Sequence, residues 1–455
     1  MCPAPLDRAE LRCQEYRMRY SLYVVAGLAF GTALGQAKDF HTHTWTKHHV
    51  TPHFWAEGGA AGDFNRDGHA DLVVGPYWYA GPDYKQRHEF YPATESFMLK
   101  GTDGKETTVP GFAGALSGRN AYSRNFLTFV HDFNGDEWDD VLVLGFPGAE
   151  STWHENPKGK PGHWKKHIAL AVTDNESPHF TDITGDGRPE IVCNSEGHFI
   201  YAEPNRHHPD QPWTVHRVTP KGSWQRFTHG MGVGDVNGDG RRDIMEKNGW
   251  WEQPASLEGD PQWAFHAFPF SPGGGAQMYA YDVDGDGDND VITSLAAHGY
   301  GLCWYENQLK KDGSITFVAH TFMNAKQEEN RYGVKFSQLH AIDLVDMNRD
   351  GLLDIVTGKR FWAHGPRGDA EPNAAAVLYW FELRRTKKNG IDWVPHLIDD
   401  DSGIGTHVMA TDMNADGWPD IVVGNKKGAF VHIQSPKKVS RKEWRQARPK
   451  PHNAD

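Results

Sequence analysis

With 455 residues, 38% of them hydrophobic, and a formal charge of −13, the chain has room for several domains or for one long array of repeats. Its acid gathers in short loops, and no basic stripe runs along it, which excludes the nucleic-acid-binding classes. The 49 glycines, 27 prolines and 12% aromatic residues suit many short strands joined by tight turns.

The N-terminus reads as an export signal. Arg17 and Arg19 precede an apolar run from Leu22 to Leu34 and then Gly35-Gln36-Ala37, a positive flank, a core too short to span a bilayer, and small residues for cleavage. Met18 is the natural start, so residues 1–37 are expected to be a signal peptide with an upstream extension, 1–17. The mature chain is then secreted or periplasmic, with no membrane span. It keeps two cysteines, Cys193 and Cys303, expected as buried thiols because their repeats are not neighbours.

From there the chain repeats. A nine-residue acidic turn occurs seven times, with starts 47 to 69 residues apart, about the length of a four-stranded propeller blade. Positions 1, 3, 5 and 9 carry oxygen side chains. In order they are Asp63, Asn65, Asp67 and Asp71, then Asp132, Asn134, Asp136 and Asp140. The third and fourth copies place Asp182, Thr184, Asp186 and Glu190, then Asp235, Asn237, Asp239 and Asp243. The fifth has Asp282, Asp284, Asp286 and Asp290; the sixth has Asp346, Asn348, Asp350 and Asp354. The seventh has Asp412, Asn414, Asp416 and Asp420. Gly follows at position 6 in six copies, and the spacing is the first part of a Ca²⁺ loop, hard oxygens around a sharp bend. Up to seven structural Ca²⁺ ions are expected. No helical period flanks the turns; runs such as LVVG, VLVLG and IVTG follow them and predict buried strands.

A second signal falls late in each unit, an aromatic residue and, three residues on, a histidine. The pairs are Trp45–His48, Trp164–His167, Trp213–His216, Trp263–His266, Phe317–His320 and Trp393–His396. Between the two signals lies an aromatic-acidic strand, as in Trp153–Asn156, Trp250–Gln253, Trp304–Asn307 and Tyr379–Glu382. Each unit therefore has four strands, A to D, with the acidic turn between A and B. The first D-type strand precedes the first A strand, and the last unit stops after its C strand, Ala429–Gln434. A blade split between the termini closes a circle and leaves no open edge. The expectation is an all-β chain, a seven-bladed β-propeller over residues 38–435 closed by N- and C-terminal strands. A basic tail, 436–455, follows. An open solenoid is the structural alternative.

These loops and strands resemble the FG-GAP/VCBS repeats of integrin-type propellers over nearly all of the mature chain. The resemblance implies fold and ion; it leaves function open, since such propellers serve adhesion and catalysis alike.

If the acidic turns share one rim, strand A starts and B–C connections share the opposite mouth. The former place Glu57, Asn125 or Phe126, Glu176, His229, Gln277, His340 and His407 there; the latter add Tyr79, His198, Asn248, His298, Lys359, Arg360 and Lys426. Two long insertions, Tyr91–Ser123 and Ala363–Ala376, emerge on the same side. The D-strand histidines recur with the blades and read as structural. His229, His340 and His407 stand outside that pattern, and with Glu57 they are expected to hold Zn²⁺ or a similar divalent ion with an open position.

This mouth resembles the propeller of the aldos-2-ulose dehydratase family, which implies metal-assisted loss of water from a keto-sugar such as an anhydrofructose. On that resemblance His298 or Glu176 is the base, and Lys359 or Arg360 stabilises the enolate. The cupin domains of that family have no counterpart in these residues, and nothing of their chemistry carries over. Two other readings stand beside it. One is a polysaccharide lyase using Tyr79, Tyr122, His298, Arg124 and Arg360. The other is a non-catalytic carbohydrate- or protein-binding propeller using Trp78, Trp250 and Trp362. The expected partner is a small sugar or oligosaccharide, and the chain a monomer or small homo-oligomer.

Overall fold

The computed structural model describes residues 39–452, apart from 207, 311–312 and 387–389; the export signal lies outside the described residues. Within them the chain forms four-stranded antiparallel units, each with strand order A-B-C-D. Blade 1 comprises Ala60–Gly62, Asp71–Val74, Tyr77–Tyr79 and Arg87–Glu89. Blades 2 and 3 share the 17-residue strand Lys165–Thr181, whose first part pairs with Ala149–Glu155 and whose last part pairs with Glu190–Ser195. Blades 4 and 5 join at their inner strands, Met231–Gly234 and Gln277–Tyr281, which pair in parallel. Blade 6 runs from Ile342–Val345 to Ile391–Asp399.

Blade 7 takes its outer strand from the other end of the chain. Phe40–Thr51 pairs with Gly428–Val439, which is followed inward by Asp420–Asn425 and Val408–Thr411. The inner strand of blade 1, Ala60–Gly62, also touches Asp420–Asn425 of blade 7, so the array closes on itself as a ring. The C strand runs on to Val439, and the tail then forms a helix, Arg441–Ala447, capped by Ser440 and Glu443. Arg448 reaches Glu382 of blade 6 at 3.4 Å.

The core lies in layers between neighbouring blades. Leu72, Val74 and Tyr77 of blade 1 pack on Val422, Ala429 and Val431 of blade 7, all buried. Strand C ends in an amide for a physical reason: Asn156 Nδ2 donates to Phe64 O of the preceding blade at 3.0 Å and to Asp139 O at 3.1 Å. Gln253 (on Ile183), Asn307 (on Val236) and Gln434 (on Met347) repeat the staple. These bonds satisfy buried carbonyls that would otherwise lack a donor. Cys193 and Cys303 are free and buried.

The aromatic–histidine pairs become ring stacks. Each D-strand imidazole lies on a C-strand aromatic of its own blade, for example His167 on Trp153 at 4.0 Å and His266 on Trp250 at 4.2 Å. In blade 7 the stacking ring is His49, on Phe430, and His48 instead meets Tyr84 edge-on. Blade 1, which lacks the spaced pair, stacks His88 on Trp78.

Candidate metal centre

The ends of the A strands and the B–C turns meet at one mouth, and Glu57 shows how the backbone builds it. Its N–H donates to Asn125 O of blade 2, and its carbonyl accepts from Thr406 N of blade 7 at 2.7 Å. That approach requires glycine at 405, where a Cβ would sit 1.8 Å from Glu57 O. The Glu57 side chain, fully buried, receives the Arg360 fork at 3.1 Å from Nε and 3.0 Å from Nη2. Arg360 Nη1 reaches Glu176 Oε2 at 3.3 Å. Burial works against the guanidinium charge, but the two carboxylates more than offset it. Burial likewise pushes Glu176 up, and His229, Arg360 and His298 together bring it down to about 2. Arg360 bridges the two buried anions and Lys426 feels both, so a further cation beside Glu176 needs neutral ligands of its own.

Three imidazoles supply the place for one. His229 precedes strand A of blade 4, His298 lies in the B–C turn of blade 5, and His340 precedes strand A of blade 6. One ring nitrogen from each lies within 4.8 Å of the others. The ring centroids are 4.9 Å apart for His229–His298, 5.7 Å for His229–His340 and 4.5 Å for His298–His340. His229 Nδ1 donates to Phe227 O at 2.8 Å, so in the neutral ring Nε2 is a lone-pair atom. It faces Glu176 Oε2 at 3.4 Å, and two acceptors at that distance need a proton or a cation between them. His340 is 2% exposed, and neither ring nitrogen has a hydrogen-bond partner. Burial, Arg360 and the two other imidazoles hold it well below the usual histidine range, hence neutral. Converging imidazole nitrogens, with those of buried His340 neutral and unpartnered, are the donor set that a Zn²⁺-like ion takes. The residues fit the ion.

The other sequence-predicted residues have different places. His407 does not join the cluster: its ring packs on Phe129 at 5.0 Å, and burial lowers it to about 4. His407 stands five residues before its acidic turn, whereas His229 and His340 stand six before theirs, and successive side chains of a strand leave on opposite faces. His298, cast as a base, instead completes the imidazole trio. Glu57 serves Arg360, so Glu176 is the carboxylate nearest the imidazoles. Tyr79 lies outside the mouth, in a groove of about 460 Å³ between blades 1 and 7 with His48 and Arg87. Lys359 donates to Ser337 Oγ at 2.8 Å, and Lys426 gives its protons to Asn120 Oδ1, Trp362 O and Ala363 O. Burial lowers both ammonium groups to about 8. Two residues at the mouth have no sequence signal beyond the length of their insertion: His364 and Asp369. Asp369 accepts from His364 Nδ1 at 2.8 and 2.9 Å and lies 3.4 Å from His298 Nδ1.

The FG-GAP-like repeat family matches residues 132–193 and 282–357, and the FG-GAP repeat matches residues 55–86. The chain is an FG-GAP-repeat β-propeller. No curated protein matches it over its sequence. Similar solved structures include an Agrocybe aegerita lectin that recognises non-reducing terminal N-acetylglucosamine, at 16% identity over 83% of this chain and 85% of that one, TM-score 0.42. Another is the BBS1 N-terminal region solved with ARL6, at 10% identity over 89% and 98%, TM-score 0.44. Rhamnogalacturonan lyase YesW is similar at 12% identity over 86% and 72%, TM-score 0.35. At such scores these likenesses carry no functional argument.

The FG-GAP loops lie at the opposite end of the strands. Position 9 is fully or nearly buried in every blade. Asp71 shows its work: Oδ2 accepts from Phe64 N and Oδ1 from Gly81 N, both at 2.9 Å, which ties the loop to the end of strand C. Burial raises these carboxyls to about 7 in Asp71, Asp243, Asp290 and Asp420, and about 8 in Asp140 and Glu190. Asp182, Asp186 and Glu190 bring ligand oxygens within 4.8 Å of one another, as do Asp282, Asp284 and Asp290. Where position 3 is asparagine, its amide instead donates to position 5, as Asn65 does to Asp67 at 2.9 Å.

Proposed function

We propose that this FG-GAP propeller is an exported, metal-dependent carbon–oxygen lyase that removes water from a small, neutral hydroxy-carbonyl compound of the keto-sugar type. The observation that carries the reading is the meeting of His229, His298 and His340 beside Glu176, with both nitrogens of buried His340 unpartnered. These residues would hold a Zn²⁺-like ion, which when bound polarises a carbonyl or hydroxyl oxygen and makes the adjacent C–H acidic. Phe227 O orients His229, and Arg360 orients Glu176. The FG-GAP loops are read as structural Ca²⁺ sites, those of blades 3 and 5 having the best-gathered oxygens.

One feature favours a neutral substrate over a uronate. A uronate lyase must neutralise a carboxylate, yet Arg360 is matched by Glu57 and Glu176, Lys426 by three oxygens, and Arg124 by Glu95 at 3.0 Å. The cations assigned to the enolate from sequence are committed to protein partners. Of the three tryptophans of a binding platform, Trp78 and Trp250 are buried against His88 and His266, which leaves Trp362 alone partly exposed.

The test is elemental analysis of the purified chain together with absorbance of unsaturated product from 1,5-anhydrofructose and from a uronate polymer, with and without chelator. One zinc ion per chain and a chelator-sensitive product from the neutral sugar are expected. Replacing His229 and His340 with Ala removes the zinc, whereas His407→Ala keeps it. A chain that holds no zinc and yields no product overturns the proposal.

A further inference from the structure

The residues that bridge the imidazole trio to the outside lie in the blade-6 insertion, and nothing in the repeat accounts for them. His364 stacks on His298 with ring centroids 4.4 Å apart and planes 25° apart. Both rings turn Nδ1 toward the same carboxylate, that of Asp369. A carboxylate accepting from Nδ1–H fixes the tautomer, so His364 Nε2 is left as a lone-pair atom. The His364 side chain is 46% exposed, against 33% for His298 and 12% for His229, so it is the most exposed imidazole of this group.

The insertion holds these groups rigidly. Gln338 accepts from Ala363 N at 3.0 Å and donates to Ala370 O at 3.1 Å; Ser337 Oγ donates to Ala370 O at 2.8 Å. Lys335 pairs with Glu371 at 2.8 Å, and Lys426 holds the carbonyls of Trp362 and Ala363. Trp362, Asp369 and Glu371 all have positive φ, at 53°, 59° and 45°. Non-glycine residues persist in that region only when their surroundings enforce it, and they gather at working sites.

We propose that the blade-6 insertion supplies the site's proton acceptor, His364 Nε2, and that Asp369 is its positioning residue. This rests on the elimination reading above. Nε2 takes the proton from the C–H beside the carbonyl, and the C–H electron pair becomes the new C=C bond. The C–O bond one carbon further breaks. Its oxygen takes the proton back from the imidazolium and leaves as water, so the imidazole is regenerated and no oxidant is consumed. His298 is thereby freed from the base role to serve with His229 and His340.

The test uses the full chain with histidine ring ¹⁵N labelling, zinc analysis and product absorbance on the unaltered protein, His364→Gln and Asp369→Asn. The His364 signal, assigned by its loss in His364→Gln, is expected to be the Nδ1–H tautomer and to lose that bias in Asp369→Asn. His364→Gln is expected to keep its zinc yet lose turnover by about 10²–10⁴-fold, with partial rescue by added imidazole. An Nε2–H ring in the unaltered chain, or a zinc-loaded His364→Gln variant with undiminished turnover, overturns this proposal alone. Absence of zinc and of product in the unaltered chain overturns the lyase reading and this proposal with it.

Discussion

Two populations of histidine divide this molecule. On the D strands the rings lie flat on aromatic neighbours, and four of them offer Nε2 to a glutamate of strand C: His167 to Glu155, His266 to Glu252, His320 to Glu306 and His396 to Glu382, at 2.7 to 3.0 Å. At the mouth the rings meet edge to face, and buried His229 Nε2 and both ring nitrogens of His340 lack hydrogen-bond partners. A buried polar atom without a partner costs about 1–3 kcal/mol. In four blades the repeat gives the D-strand Nε2 a glutamate partner, and at the mouth it gives none to His340. On the proposed reading, the stability given up where the repeat breaks is returned by a bound ion.

The largest shift should come from the rim, where seven buried carboxyls act together. Their folded values are raised by burial to about 7 or 8 where a figure is resolved, above the ordinary 3.8 of Asp or 4.5 of Glu. Between roughly pH 4 and pH 8 the folded state therefore keeps protons that the unfolded chain has released, and stability falls as pH rises. In chelator, the melting temperature should drop from pH 5 to pH 8. Added Ca²⁺ should restore it at pH 8, since an ion bound only by the folded state stabilises it. A melting temperature indifferent to Ca²⁺ at pH 8 would reduce these loops to plain turns. Next is the mouth: Arg360→Met leaves Glu57 and Glu176 buried without their cation, and loss of about 3–5 kcal/mol is expected in denaturant unfolding. A loss below about 1 kcal/mol would mean that water reaches those carboxylates.

Much of this architecture is legible in the sequence because the repeat is local. The nine-residue turn, the strand after it and the spaced aromatic and histidine sit within one blade, and period and turn chemistry report them directly. Closure is legible too, since a lone D strand at the start has only the last blade to complete. Direction is harder to read. His340 stands six residues before Asp346 and His407 only five before Asp412, and that one-residue offset sends one ring toward His298 and the other onto Phe129. A count of five or six residues back from the turn merges those two faces of the strand, and it does not reach a neighbour such as Gly274, where a Cβ would come within 2.8 Å of His229 Cβ. His364 and Asp369 lie in an insertion without period, so only its length marks them. The blade-7 stack shows the limit at one residue's resolution: the spaced pair selects His48, and strand alternation delivers His49.

Two smaller effects sharpen the contrast between repeat and site. Gln253→Ala removes a buried amide that serves Ile183 O at 2.8 Å and Arg242 O at 3.0 Å. Leaving those carbonyls without a donor should cost about 1–3 kcal/mol, with metal content and turnover unchanged. His266→Ala should cost least. Its side chain is 44% exposed, its ion pair with Glu252 is solvated, and the stack on Trp250 is one face of a ring already 97% buried by other contacts and this one together, being 3% exposed. An exposed pair and an aromatic contact of this kind are worth about 1 kcal/mol or less. Its zinc content should match that of the unaltered chain, whereas His340→Ala, a substitution of the same type, should abolish it. If His266→Ala instead emptied the zinc site, the two populations would be coupled through the blade, and the division between repeat and site would not hold.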